Sequence, residues 1–222
     1  LPKPFILIDT TASDDTYASV LEALKLGGHA ILSNKKLLTQ DQKKYDTLVN
    51  EGQSRLYYET TVGAGLPIIR TIKSLIETGD QILEIKGCFS GTLGYLFSSL
   101  EGGKTFSDVV KAAKQAGYTE PDPRDDLTGI DVARKALILA RLMGQKLELS
   151  QIHTVALYPQ AMNKYTVEEF INNLSEIDSS FTDRLSSAKK DNKTLRFVAT
   201  VTPNKCSVGI EKVAINSDLG SL

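Results

Sequence analysis

Two cysteines, two histidines and a net charge of −1 leave this 222-residue chain short of three kinds of chemistry. Cys88 and Cys206 are too few for a disulfide framework, which makes a reducing compartment, the cytoplasm, the expectation. His29 and His153 lie far apart in sequence and no Cys/His cluster has zinc spacing, so no transition-metal chemistry is expected. Near-neutral charge gives no electrostatic footprint for nucleic acid or an anionic membrane. No apolar run approaches the roughly 20 residues that span a bilayer. The sequence also lacks internal repeats, low-complexity segments and a targeting signal. It opens without Met, directly on LPKPFILID, and we expect it to be an excerpt of a longer protein.

What is present suits a packed fold. Apolar residues make up 41% and charged residues 24%, as in ordinary globular proteins, and the length allows one large or two small domains. Phe5–Asp9 is a short apolar run ending in Asp9-Thr10-Thr11, the pattern of a buried parallel strand closed by a polar turn. A helix follows to Gly27-Gly28, with Ser13 or Asp14 placed to cap it. His29–Leu32 is a second strand ending in Ser33-Asn34-Lys35-Lys36. A helix over about 40–50 and a third strand, Arg55–Glu59, complete β-α-β-α-β, the order of an open parallel sheet that binds ligands at its carboxyl ends.

A dinucleotide-binding domain normally begins with strand, G-x-G-x-x-G and helix. Here Gly63-Ala64-Gly65 follows the third strand and runs into Leu66-Pro67, which is not that fingerprint. Pro67 opens a helix closed by Gly79, and Gln81–Cys88 alternates as a strand. Phe89-Ser90-Gly91-Thr92 leads into another helix, and a further one starts near Thr105 or Ser107. Beyond Gly144 residues 150–166 read as loop, followed by a short helix, an acidic helix and a β-hairpin turning at Pro203-Asn204-Lys205. Leu195–Val201 is read as an exposed strand. The fold class expected is α/β plus α+β: a partial Rossmann-like parallel sheet in residues 1–66, and a mixed-sheet substrate-binding and dimerisation domain in 67–222.

The chemistry concentrates between Ala113 and Lys135. Pro121 and Pro123 stiffen a turn carrying Glu120 and Asp122. A helix resuming near Asp125 or Asp126 and running through residue 144 sets Asp131 and Lys135 four residues apart on one face. An amine flanked by carboxylates beside a rigid loop suits a small zwitterionic substrate, although the same spacing also describes a solvated ion pair.

In fixed register, Ala113, Gly117, Tyr118, Thr119, Asp122, Pro123, Asp126, Leu127, Gly129, Asp131 and Lys135 resemble the signature of the homoserine dehydrogenase family. The SNKK, ETTVGAGLP and FSGT segments follow in the family's order, so the resemblance runs from about residue 5 to about residue 215. It implies reduction of aspartate 4-semialdehyde to homoserine with NADP (or NAD) as cofactor, the reverse oxidation, and a homodimer. It makes Lys135 and Lys35 the catalytic pair, although the residues alone leave Lys35 and Lys36 equally placed. Hydride addition to an aldehyde builds negative charge on oxygen, which calls for a cation and a proton donor. Glu120 and Asp131 become anchors for the substrate's ammonium group, with Asp126 a further contact or a helix cap. Thr92 serves the carboxylate or caps its helix, and Tyr118 lines the pocket or packs. Thr10, Thr11, Ser33, Lys35 and Gly91 lie on the cofactor side. Glu59 and the carbonyls of Val62, Ala64 and Leu66 are implied to hold a sodium-type ion through oxygen. The alternatives are a binding and dimerisation module without turnover, or another two-domain oxidoreductase that does not need the Glu120/Asp131 pair.

Overall fold

The computed structural model describes residues 4–222, so the expected opening segment is seen from Pro4 onward. Among the described residues two compact units emerge, both discontinuous in sequence: residues 4–85, 134–152 and 201–206 form one, and 86–133, 153–200 and 207–222 the other. This division differs from a single break after Leu66.

The first unit is built on a three-stranded parallel sheet. Strand β1 (Ile6–Asp9), helix α1 (Tyr17–Lys25), strand β2 (His29–Leu32), helix α2 (Gln42–Gly52) and strand β3 (Leu56–Tyr57) follow in order, and the sheet runs β1-β2-β3. Register pairs Ile6 with His29 and Ala30 with Leu56. Strand period two then sorts the side chains. Ala30, Leu32 and Leu56 are buried with Val20 and Leu24 of α1 and Leu48 of α2. Ile6, Ile8, Ile31 and Tyr57 point the other way and are exposed. A parallel sheet is normally covered on both faces; this one is covered on one.

Strand β3 is shorter than the expected Arg55–Glu59. Arg55 instead uses its guanidinium on the carbonyls of Leu24, Gly28 and Glu51, tying the amino ends of the layer together. Helix α1 starts after Thr16 without a side-chain cap. Ser13 Oγ accepts from the Asp15 amide in a turn of its own, so neither Ser13 nor Asp14 caps it. Asp41 does cap α2, accepting from the Lys44 amide. Helix α3 (Thr60–Gly63) and helix α4 (Ile68–Glu77) follow, and Gly79 ends α4 at φ 87°.

In the second half a four-stranded sheet has the order β4-β6-β7-β5. Strand β4 (Ile85–Gly87) is all that forms of the expected 81–88 strand. Helix α5 (Gly91–Glu101) is capped by Ser90, which accepts from the Leu93 amide; the cap expected of Thr92 therefore belongs to its neighbour. Helix α6 (Phe106–Gln115), capped by Thr105, ends at Gly117 with φ 72°. The expected long helix of the signature region is broken. A single turn, α7 (Arg124–Leu127), precedes helix α8 (Ile130–Leu142), and Gly129 at φ 71° separates them. A side chain at Gly129 would meet the Phe197 ring at 2.5 Å. Segment 150–166 is not plain loop. Strand β5 (His153–Thr154) pairs in parallel with residues 207–208. Helices α9 (Val167–Asn173) and α10 (Asp178–Lys190) follow, α9 opening on a capping box of Thr166 and Glu169.

Strands β6 (Lys193–Thr202) and β7 (Lys205–Ala214) form the expected hairpin about Pro203-Asn204. Leu195–Val201 is not an exposed strand. Its residues are almost all buried, and β6 lies inside the sheet between β4 and β7. Arg196, 1% exposed, pairs with Glu101 at 2.6 Å and donates to the carbonyls of Leu219, Gly220 and Leu222.

Candidate functional site

The sequence-predicted residues fall into two clusters, one within each unit. In the first unit the cluster sits where β1 and β2 end. Asp9 is 3% exposed, and its carboxylate accepts from the Thr11 amide at 2.9 Å and the Thr11 hydroxyl at 2.7 Å. It also accepts from Thr16 Oγ1 at 2.6 Å and Asn34 Nδ2 at 3.0 Å. These bonds hold the Asp9 carboxyl below its ordinary value of 3.8 against the opposing effect of burial, which is the largest single influence. Thr10 beside it is exposed, as is Ser33, whose hydroxyl lies 3.1 Å from that of Thr60. Lys35 begins a short 3-10 turn over 36–39. Lys36 approaches Asp14, in the loop before α1, at 3.9 Å. Thr39, in that turn, receives a bond from Arg134 of α8.

The same unit holds the segment expected to bind an ion. Glu59 accepts from the Ile69 amide at 2.8 Å and the Arg70 amide at 2.9 Å, so its carboxylate caps the first turn of α4. The Leu66 carbonyl accepts from Ile68, and Ala64 turns the chain at φ 51°. The Glu59 and Leu66 oxygens each retain a further lone pair, and carboxylate and carbonyl oxygens are the donor type that a hard cation takes. Among the described residues no three His, Cys, Asp or Glu side chains are grouped to hold a metal. Gly63 packs against Ile68, and Gly63-Ala64-Gly65 is the exit from α3 rather than a phosphate cradle.

In the second unit the acids of the signature gather after α6. The Glu120 amide donates to Asp126 Oδ2 at 2.8 Å, so Asp126 braces this turn and does not cap the next helix. Asp126 is half-buried, and desolvation pushes its carboxyl above the ordinary value. The bond from the Glu120 amide opposes that rise, and the nearby charges of Asp131 and Asp125 add to it. Thr92 Oγ1 donates to the Tyr118 carbonyl at 2.7 Å, which spends its proton within the protein. Tyr118 is exposed and meets Tyr95 edge-on at 4.9 Å. Asp131 lies in the first turn of α8; Lys135 follows one turn later on the same helix, in the stretch counted with the first unit.

Sequence reasoning missed the groups that fix these loops. Arg124 makes a forked pair with Asp122, Nε at 2.9 Å from both oxygens and Nη2 at 2.6 Å from one. It also donates to the Tyr165 carbonyl at 2.8 Å and faces the Phe170 ring. The pairing, led by the Arg124 bond, draws the Asp122 carboxyl below its ordinary value. An Arg two residues after an Asp across a proline was a local signal for this pair. Asn34 and Arg196 gave none, because their partners are distant in sequence.

The sequence profile described as homoserine dehydrogenase matches residues 67–222. The chain is 46% identical over 200 residues to bifunctional aspartokinase/homoserine dehydrogenase 1, chloroplastic, of Zea mays, covering 88% of this chain and 22% of that protein. It is 39% identical over 231 residues to homoserine dehydrogenase of Saccharomyces cerevisiae, covering 100% of this chain and 64% of the yeast protein. A solved hyperthermophilic archaeal homoserine dehydrogenase in complex with NADPH superimposes with a TM-score of 0.71 at 25% identity, over 96% of this chain and 57% of that one. The chain spans less than two thirds of each of these proteins.

Proposed function

The chain belongs to the homoserine dehydrogenase family, and from that premise we propose that it carries the substrate-handling residues of an enzyme interconverting aspartate 4-semialdehyde and homoserine with NADP or NAD. The observation that carries this reading is the acidic turn itself. The Glu120 amide is bonded to the Asp126 carboxylate in a proline-stiffened loop, and Asp131, whose charge acts on Asp126, opens the helix that bears Lys135. Neighbouring carboxylates are stabilised when a substrate ammonium supplies the countercharge. Glu120 and Asp131 take that ammonium group, and Asp126 supports it through the Glu120 turn. Thr92 has donated its proton to Tyr118, so the substrate carboxylate is met by main-chain N–H groups at the start of α5. Tyr118 walls the site.

A bound nicotinamide would supply or accept the hydride. Thr10, Thr11, Ser33, Lys35 and Gly91 are the residues proposed to hold it; the first four close parallel strands at the ends where such sheets receive ligands. Lys135 delivers a proton to the aldehyde oxygen on reduction and removes one from homoserine on oxidation, with Lys35 as its cationic partner. The full-length protein should oxidise NADPH with aspartate semialdehyde. Lys135→Ala should cut kcat far more than it raises KM. Near-normal turnover in that variant removes Lys135 from the proton step, whereas turnover by the 222-residue chain alone excludes a binding-only module.

Residues 1–66 are proposed to be the second part of a Rossmann-like domain and 67–222 the catalytic and dimerisation part. The uncovered apolar face of β1–β3 supports the first assignment, because further layers of such a domain would bury it. A homodimer would use a sheet edge, β4 or β5, since β6 is internal; sedimentation tests it. A sodium ion bound by Glu59 and the carbonyls of Val62, Ala64 and Leu66 would stiffen the turn before α4. An equal thermal midpoint in sodium and in choline salts removes it. The compartment is proposed to be the cytoplasm. Among the described residues no helix is long and apolar enough to cross a membrane.

A further inference from the structure

Asn34 occupies a place that the reaction chemistry alone does not explain. It is 2% exposed, yet it lies in the loop after β2 between residues assigned to the cofactor side. Its Nδ2 is 3.0 Å from Asp9 Oδ2 and 2.7 Å from the Ser13 carbonyl. The Thr11 and Thr16 hydroxyls lie farther off, at 3.3 Å each. An amide nitrogen has two protons, so the short pair takes both and the longer contacts are secondary. Its Oδ1 accepts from the Lys36 amide at 3.1 Å. One side chain thus bonds the loop closing β1 and its own loop closing β2. The backbone repeats the tie, with the Ser33 amide donating to the Asp9 carbonyl at 2.9 Å.

Asp9 completes the device. Its four accepted bonds fill the lone pairs of a carboxylate. A buried network with every member satisfied is stiff, and removal of one member leaves a charge short of a partner. Thr11 is fixed on one side of this network, and Lys35 follows Asn34 directly on the other.

We propose that Asn34 is a positioning residue, a buried clasp that sets the Asp9–Thr11 and Ser33–Lys36 loops against each other so that Thr10, Thr11 and Lys35 meet the dinucleotide as one preset surface. This rests on the homoserine dehydrogenase reading given above. Asn34 touches no reacting atom in this role. It acts by removing the freedom of two loops that would otherwise be ordered only when the dinucleotide binds.

The test uses the full-length protein with kinetic constants normalised to the folded fraction. Asn34→Asp keeps the shape and the acceptor for Lys36 but sets a second carboxylate against Asp9. Its kcat/KM for NADPH should fall by about tenfold or more, since loop misplacement of about 1 Å costs up to 10²-fold. NADPH affinity measured by fluorescence should weaken in parallel. Thr16→Val, which removes one bond to Asp9, should shift both in the same direction by a few-fold; it serves alone if Asn34→Asp does not fold. Arg55→Met loosens the opposite, amino end of the same layer and should lose stability with kinetic constants within twofold of the unaltered protein. Unaltered constants in folded Asn34→Asp, or in Thr16→Val, overturn the clasp. So does an equal kinetic loss in Arg55→Met. Failure of the unaltered full-length protein to bind NADPH or turn over refutes the underlying functional reading instead.

Discussion

Replacing Arg124 by methionine tests whether the acidic turn is held from behind. The guanidinium is the hub of that turn: it forks onto Asp122, reaches the Tyr165 carbonyl and covers the Phe170 ring. Its side chain is only 16% exposed and that of Asp122 29%, so the pair is partly screened rather than fully solvated. A hydrogen bond to a charged group contributes about 1.5–3 kcal/mol, and an orphaned carbonyl adds about 1 kcal/mol. Methionine preserves much of the contact with Phe170 and none of the donors. With screening by solvent taken into account, the expected loss is about 2–3 kcal/mol. For a chain of this size that lowers the thermal midpoint by roughly 4–12 °C. Arg124→Lys keeps the charge but cannot serve Asp122 and Tyr165 together, and should lose about half as much. Thermal unfolding by circular dichroism reads the first effect. The second is kinetic: KM for homoserine should rise several-fold in the full-length protein while KM for NADPH stays put. Wild-type stability in Arg124→Met would refute the hub. Lost stability with an unchanged homoserine KM would show that the hub does not govern Glu120.

Three further outcomes follow from other parts of the molecule. Arg196→Met should cost about 2–3 kcal/mol, because Glu101, about a third exposed, loses its charged partner; urea unfolding measures it, and amide exchange across 217–222 should quicken as three carbonyl bonds vanish. Asp126 has a raised folded pKa, so its ionisation opposes folding above the ordinary value of 3.8. Asp126→Asn should therefore hold or raise stability at neutral pH, with any gain fading as the pH falls towards 3.8, while homoserine binding weakens; a stability loss at pH 7 contradicts the sign. Burial pushes the Cys206 thiol up to about 11 and the Cys88 thiol above its usual value. Both should react slowly with a disulfide reagent at neutral pH in the folded chain and quickly in urea.

How far the sequence could be read depended on the range of the interactions involved. His29–Leu32 was legible to the residue because its alternation and flanking Gly27-Gly28 are local. The helices capped by Thr105 and Thr166 were legible for the same reason. Strand β3 shrank because Arg55 was drawn to carbonyls more than twenty residues away, at Leu24 and Gly28. The long helix of the signature failed at Gly129, where period alone carried the pattern across a residue of positive φ. Leu195–Val201 reads as an exposed strand, but it belongs to an internal strand of its sheet and its side chains are buried. The acids of the turn were found by type and spacing. Their supports were not: Asn34 reaches Asp9 across 25 positions, and no window of sequence contains that bond.

Gly129 also limits how this chain can be altered. Two separate demands meet there, a backbone twist that favours glycine and a Phe197 ring that occupies the space of any side chain. Compensating for one leaves the other intact, so a single second-site change will not rescue a substitution. Thr128 and Ile130 on either side carry no such double demand. A library built on this region should therefore randomise around this position and leave it untouched, since α8 and its Asp131 take their starting direction from it.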